Sequence, residues 1–259
     1  MNLWMVGKML LKNKVAIISG VGNRFGKAVA YLFAKEGSKV VLISRNKEII
    51  DDIALQINRD GGDVLGIVSD ATESESVKKA FEKIMEKYGK VDILLNNAGG
   101  SYTKRQTLKE MDYEFWKLVI KNNLDSAFLM SKNFINCVKE NPASIINISC
   151  AHKTLLDGNG AYASAKSGII GFTKNLAREV RDSNIRVNCI MPGVIRKNFD
   201  EKNSNISPDI TREGYSQDVA YAALYFASHY SSWITGQTLV VDGGEELFLN
   251  LQHVSAATS

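Results

Sequence analysis

The 259-residue sequence predicts one α/β domain, a doubly wound parallel sheet of about seven strands with helices on both faces. Three observations predict it. Short runs rich in valine, isoleucine and leucine are apolar without alternation, as strands buried on both faces must be. Longer segments with helical periodicity separate them, so consecutive strands are joined by crossovers that fit only parallel neighbours. No repeat and no low-complexity linker divides the chain, and composition is that of an ordinary globular domain at 45% hydrophobic and 23% charged.

In order, strands are expected at Val15–Ile18, Val40–Ile43, Val64–Val68, Val91–Leu95, Ile145–Ile148, Ile185–Ile190 and Thr238–Val241. Helices are expected over 26–36, 47–58, 73–88, 112–138, 160–182 and 216–228. The whole of 1–259 reads as a single dinucleotide-binding unit with a tail at 245–259.

Several function classes are disfavoured at once. A formal charge of +4 with Lys and Arg scattered among Asp and Glu gives no footprint for nucleic acid. Cys137, Cys150 and Cys189 are odd in number and form no CxxC pair, which points to a reducing, cytoplasmic setting. His152, His229 and His253 lack metal-ligand spacing, so no metal is expected. The apolar start is broken by Gly7 and Lys8 and lacks a cleavage site, and no stretch approaches the ~20 apolar residues of a membrane span. A soluble protein with no membrane partner is the expectation.

In a doubly wound sheet ligands sit beyond the carboxyl ends of the strands, so the residues following each strand carry the function. After the first strand, Ser19-Gly20-Val21-Gly22-Asn23-Arg24-Phe25-Gly26 runs straight into a helix. Glycines there allow a tight turn and close approach of a pyrophosphate to N–H groups at the helix N-terminus. The GxGxxG fingerprint is not met, since Phe25 stands at its third glycine. The second strand ends at Ser44-Arg45, where a carboxylate would mark NAD(H). The guanidinium of Arg45 suits a 2′-phosphate instead, so NADP(H) is preferred and NAD(H) remains possible. Asp70, before Ala71 at the third strand's end, is placed to accept from an adenine amino group. Asn96-Asn97-Ala98-Gly99-Gly100 ends the fourth strand; its amides suit tying loops together, with Asn97, Ala98 and Gly99 bordering the cofactor.

Tyr162 and Lys166 stand four apart on a long helix and can reach one substrate. A phenol of pKa ~10 needs roughly 4 kcal/mol of preferential phenolate stabilisation to titrate near neutrality. A nearby ammonium and an oxidised nicotinamide would supply it.

These motifs occur as an ordered set: the glycine turn, Asn-Asn-Ala-Gly, Asn147-Ile148-Ser149, Tyr162 with Lys166, Pro192-Gly193, Thr235-Gly236-Gln237 and Val241-Asp242-Gly243-Gly244. The set resembles the short-chain dehydrogenase/reductase family, from about Leu11 to Gly244, and within it the 3-oxoacyl-carrier-protein reductases and the sugar or polyol dehydrogenases. The resemblance implies a Rossmann-like fold and hydride transfer between NADP(H) and a small carbonyl compound or secondary alcohol. It implies that Tyr162 exchanges the proton and that Lys166 holds the nicotinamide ribose and lowers the tyrosine pKa. A serine would polarise the substrate oxygen, and Asn123 would anchor a proton-relaying water. Pro192, Gly193 and Ile195 would line the nicotinamide. The family's usual assembly implies a homo-oligomer, a tetramer or dimer, built through the long helices.

The sequence departs from the family in three places. The middle glycine of the usual TGxxxGxG turn is Arg24, which would obstruct a pyrophosphate or clasp it. The serine is ambiguous: Ser149 has the usual thirteen-residue spacing to Tyr162, whereas Asn-Ile-Ser-Ser would put the position at Cys150, with one residue deleted from the 151–161 loop. Ser149 is taken here. The threonine after Pro-Gly is Lys197, and the segment Arg196–Gly214 is short and polar. These departures leave open a cofactor-binding sensor or regulator that has lost turnover; the intact Tyr162–Lys166 pair argues against it.

Overall fold

The structure, a computed structural model, describes residues 9–100, 106–139, 141–197, 199 and 209–248. Its elements run β1 (Val15–Ser19), α1 (Phe25–Lys35), β2 (Lys39–Ser44), α2 (Lys47–Arg59), β3 (Asp63–Val68), α3 (Ser74–Tyr88) and β4 (Ile93–Asn96). Then follow α4 (Tyr113–Ile120), α5 (Ser126–Cys137), β5 (Ala143–Ile148), α6 (His152–Asp157), α7 (Gly160–Glu179), β6 (Ile185–Pro192) and β7 (Ile195–Lys197). The chain continues through β8 (Gly214–Tyr215), α8 (Ser216–Ala227), β9 (Thr238–Val241) and α9 (Glu245–Phe248).

Seven strands form one parallel sheet in the order β3-β2-β1-β4-β5-β6-β9, which bears out the expected fold class. Because side chains alternate across a strand, β1 feeds two cores. Ala16 and Ile18 pack with Phe33 of α1, Ile53 of α2 and Phe226 of α8. Val15 and Ile17 pack on the other face with Phe81 of α3, Phe134 of α5 and Leu176 of α7. The order reverses between β1 and β4, and there the sheet offers its ligand crevice.

Three local features differ from expectation. The β7–β8 pair and the short α6 and α9 are additions. The single helix expected over 112–138 is two helices joined by a π-turn at Lys121–Asp125, with the Ser126 N–H bonding the Lys121 carbonyl five residues back. Side chains cover the carbonyls that this wider turn releases. Asn122 Nδ2 donates to Leu118 O at 2.8 Å, Asn123 Nδ2 to Val119 O at 3.0 Å, and Ser126 Oγ to Asn122 O at 2.9 Å. No helix among the described residues is long and apolar enough to cross a membrane. Most of the segment 196–214, including Asn203-Ser204-Asn205 and Pro208, lies outside the described residues, as do residues 1–8 (with Gly7 and Lys8) and 249–259 with His253.

Candidate active site

Two of the cavities along the carboxyl edge of the sheet meet at the β1 turn. The smaller, about 210 Å³, is bordered by Gly20, Ser44, Arg45, Asp70, Ala71 and Ala98. Register explains the grouping: Ser44 pairs with Val68, so the loops after β2 and β3 emerge side by side. Arg45 Nη1 lies 3.8 Å from Asp70 Oδ2, with the arginine side chain 69% exposed. The other Asp70 oxygen accepts from Thr72 N at 2.9 Å and Thr72 Oγ1 at 2.8 Å. Burial works against the Asp70 carboxylate, but the Thr72 donors and Arg45 outweigh it and hold its pKa below the usual value. Asp70 thus faces the guanidinium, a pairing that the sequence reading of Arg45 had not included. Ser44 Oγ accepts from Asn46 N at 3.3 Å.

The β1 turn is held by backbone contact. Gly20 has φ +65, and a Cβ there would stand 2.3 Å from Ala98 Cα, so only glycine lets the turn lie against the β4 loop. Asn97 N donates to Ser19 Oγ at 3.2 Å and Asn97 Nδ2 to Gly20 O at 2.8 Å, stapling the two loops. The expectation that the asparagine pair ties loops holds for Asn96 too. Its Nδ2 donates to Ser131 Oγ at 2.9 Å and Asn147 Oδ1 at 2.8 Å, and Asn147 passes the link to Thr173. Arg24 is the exposed N-cap of α1 and makes no side-chain cap bond, while Phe25 and Gly26 begin the helix. The first N–H groups of α1 therefore point into the crevice beside a guanidinium, as an anion needs.

The larger cavity, about 470 Å³, runs from Gly22 and Arg24 past Lys166 and Tyr162 to Pro192 and Gly193. Ile195, in β7, forms part of its wall. The position of β6's end is fixed by two backbone bonds, Ala151 N to Pro192 O at 2.9 Å and Gly193 N to Val241 O at 2.9 Å. Asn159 caps α7, accepting from Tyr162 N at 2.9 Å, so the phenol leaves the first turn of a rigid 20-residue helix. Lys166 is only 6% exposed. Its Nζ donates to Ile148 O at 3.0 Å and lies 5.9 Å from the Tyr162 ring centre. Burial lowers the lysine's pKa, and burial followed by the neighbouring Cys150 thiol raises that of Tyr162. Asn123, in the π-turn, exchanges bonds with Gly100 (N to Oδ1 at 3.1 Å, Nδ2 to O at 3.2 Å). Gly99, φ +141, packs so closely that a Cβ would stand 2.4 Å from Asn123 Oδ1 and 3.5 Å from Lys166 Nζ.

The structure separates the two serine candidates. Spacing placed Ser149 beside the phenol. Its hydroxyl donates to Lys166 O at 2.7 Å, and Ser149 lines the same cavity as Tyr162. Cys150, 4% exposed, packs with Tyr162 in one buried cluster. The physical reason is the alternation of an extended chain: two residues that follow β5 face opposite ways. Burial raises the Cys150 pKa, so it stays a neutral thiol. Thr154, on α6, also lines this cavity and carries a buried hydroxyl with no hydrogen-bond partner. Its part was not legible in the sequence, because nothing there predicts α6.

A family model described as enoyl-(acyl carrier protein) reductase matches residues 20–246. The 3-oxoacyl-(acyl-carrier-protein) reductase of Thermotoga maritima is 35% identical over 249 residues, spanning 91% of this chain and 99% of that protein. The chain belongs to the short-chain dehydrogenase/reductase family. The corresponding Chlamydia pneumoniae reductase is 37% identical over 243 residues, spanning 90% of this chain and 97% of its own. Among solved structures, the citronellol catabolism dehydrogenase of Pseudomonas aeruginosa PAO1 superposes with TM-score 0.81 at 28% identity, over 92% of this chain and 97% of that one. A short-chain dehydrogenase from Mycobacterium smegmatis does so with TM-score 0.79 at 25% identity, over 92% and 95%. This short-chain dehydrogenase/reductase is therefore an oxidoreductase that uses a nicotinamide cofactor. Its residues fit one: the α1 N-terminus borders the larger cavity, and the lack of a side chain at Gly20 and Gly99 lets the β1 turn and the β4 loop close against Ala98 and Asn123 beside it.

Proposed function

We propose that this enzyme reduces a carbonyl compound with NADPH, or oxidises the matching secondary alcohol with NADP+. The observation that carries the reading is the burial of Tyr162 and Lys166 in one cavity, with buried Asn123 bonded to Gly100 in its wall and Arg45 and Asp70 bordering the second cavity across the β1 turn. The bound nicotinamide supplies or accepts the hydride. Tyr162 holds its proton at a substrate oxygen and delivers it during reduction. Lys166, fixed through Ile148 O, faces the cofactor ribose and favours the phenolate when the reaction runs the other way. Asn123 is a positioning residue, set by the π-turn to hold a water on the path to Lys166. Arg24 clasps the pyrophosphate, and Asn97, Ala98 and Gly99 support the cofactor from the β4 side. A panel of ketones, aldehydes and acyl thioesters, scored by NADPH oxidation, tests the assignment. The acyl thioesters belong in it because the curated relatives carry 3-oxoacyl substrates in their names. Tight NADPH binding with no turnover on any of them would favour a sensor instead.

The cofactor preference rests on Arg45. A 2′-phosphate would take over the guanidinium from Asp70, exchanging a loose 3.8 Å pair for charge-assisted hydrogen bonds. NADPH should bind at least about tenfold tighter than NADH, and Arg45→Ala should erase most of the difference. Added salt should narrow it, because the pair is exposed. Calorimetric titration with both cofactors checks this, and equal affinities would reduce Arg45 to a surface residue.

We also propose a cytosolic homo-oligomer. Tyr113, Leu118 and Phe128 expose large apolar surface on α4 and α5, the helices expected to pack between subunits. Light scattering at micromolar concentration should return a multiple of the 28.6 kDa chain mass; a monomer refutes the assembly.

A further inference from the structure

Two features of the larger cavity are unexplained by hydride transfer in general. The side chain packed with Tyr162 in the wall of this cavity is the Cys150 thiol, and a thiol donates hydrogen bonds weakly. The Ser149 hydroxyl, in the same wall, donates to Lys166 O at 2.7 Å. The substrate oxygen therefore meets one strong donor, Tyr162, and one weak one. The second feature is the Thr154 hydroxyl, a buried polar atom without a partner in the wall of the same cavity. Such an atom carries a desolvation cost until something bonds to it. α6 is held against the phenol: Gly158 N bonds Thr154 O at 3.1 Å, and a Cβ at Gly158 would stand 3.1 Å from the Tyr162 ring.

We propose that Cys150 and Thr154 restrict the enzyme to carbonyl groups bearing a second carbonyl directly beside them, the vicinal dicarbonyl compounds. This rests on the reductase assignment above and narrows it. A weak donor stabilises the developing oxyanion poorly, so the reacting carbon must already be electron-poor. An adjacent carbonyl makes it so, and the withdrawal fades with each intervening carbon. Its oxygen is also the acceptor that the Thr154 hydroxyl lacks. In the balanced step, hydride forms a C–H bond at one carbonyl carbon and the C=O electron pair moves onto oxygen. The Tyr162 proton completes the hydroxyl, leaving a hydroxyketone and the oxidised cofactor, and solvent reprotonates the phenolate.

Steady-state rates with butane-2,3-dione and with cyclohexanone test this, together with calorimetric binding of the dione to protein saturated with NADP+, a complex that cannot react. Cys150→Ser should raise kcat/KM for cyclohexanone about tenfold or more, and for the dione by less than about threefold, because only the unactivated ketone needs the stronger donor. Thr154→Val should raise KM for the dione about tenfold with kcat nearly kept, and weaken its binding to the NADP+ complex by the same factor. Cyclohexanone should be indifferent to that change. An active enzyme whose selectivity is unmoved by Cys150→Ser, or whose dione binding is unmoved by Thr154→Val, overturns the inference alone. NADPH binding without turnover on any carbonyl overturns the reductase assignment and this inference with it.

Discussion

Tyr162→Phe should lower the rate of hydride transfer by about 10³-fold or more while leaving cofactor affinity nearly unchanged. The substitution removes one oxygen from a ring held between α6, Lys166 and Cys150, so the packing around it persists. Only the proton is lost. Because burial and the Cys150 thiol raise the phenol's pKa, reduction draws on a form that is protonated throughout neutral pH. Its rate should be flat there. Oxidation begins by removing a proton from the alcohol to the phenolate, so its rate should climb as pH rises. Stopped-flow measurement of NADPH consumption in reduction and of its formation in oxidation reads all of this, and comparable turnover in the Phe variant would remove Tyr162 from the chemistry.

Lys166→Ala should damage two functions together, the rate and the cofactor affinity. The ammonium is buried, bonded to Ile148 O, and close to Gly99. Removing it should cost on the order of 10²-fold in rate and about tenfold in cofactor affinity. It also leaves the Ile148 carbonyl without that donor. Lys166→Arg is the informative companion, since it keeps the charge but not the shape: a wider guanidinium must displace Ile148 or Asn123. Cofactor affinity measured apart from turnover separates the roles. A variant that binds NADPH normally would confine Lys166 to the proton path.

Much of the crevice was legible before the fold was known, and the reason is that each part follows a strand. Gly20, Arg45, Asp70 and Asn97 all stand just beyond the carboxyl end of an apolar run, and the parallel sheet gathers those ends on one edge. The pairing of Arg45 with Asp70 had a signal as well, since consecutive strands in such a sheet are usually neighbours. The choice between Ser149 and Cys150 was different. Spacing counts residues along the chain, whereas the side of an extended segment changes with every residue, so a count uncertain by one carries no orientation. The break at Lys121–Asp125 was equally hidden, because apolar residues keep their helical rhythm from Trp116 through Met130 on either side of it. Thr154 was hidden by α6, a six-residue helix too short to leave a period.

The π-turn has a consequence for how this chain can change. A wide turn holds one residue more than an ordinary helix would, and α4 and α5 still point their apolar faces correctly on either side of it. A sequence one residue shorter between positions 121 and 125 would close into a continuous α-helix with both faces in phase. Helices seldom forgive a deletion, yet here the scaffold has a spare residue to lose. What would go with it is the offset that swings Asn123 toward Gly100. Loss of a single codon there would therefore cut this tie between the π-turn and the β4 loop while the sheet kept its register.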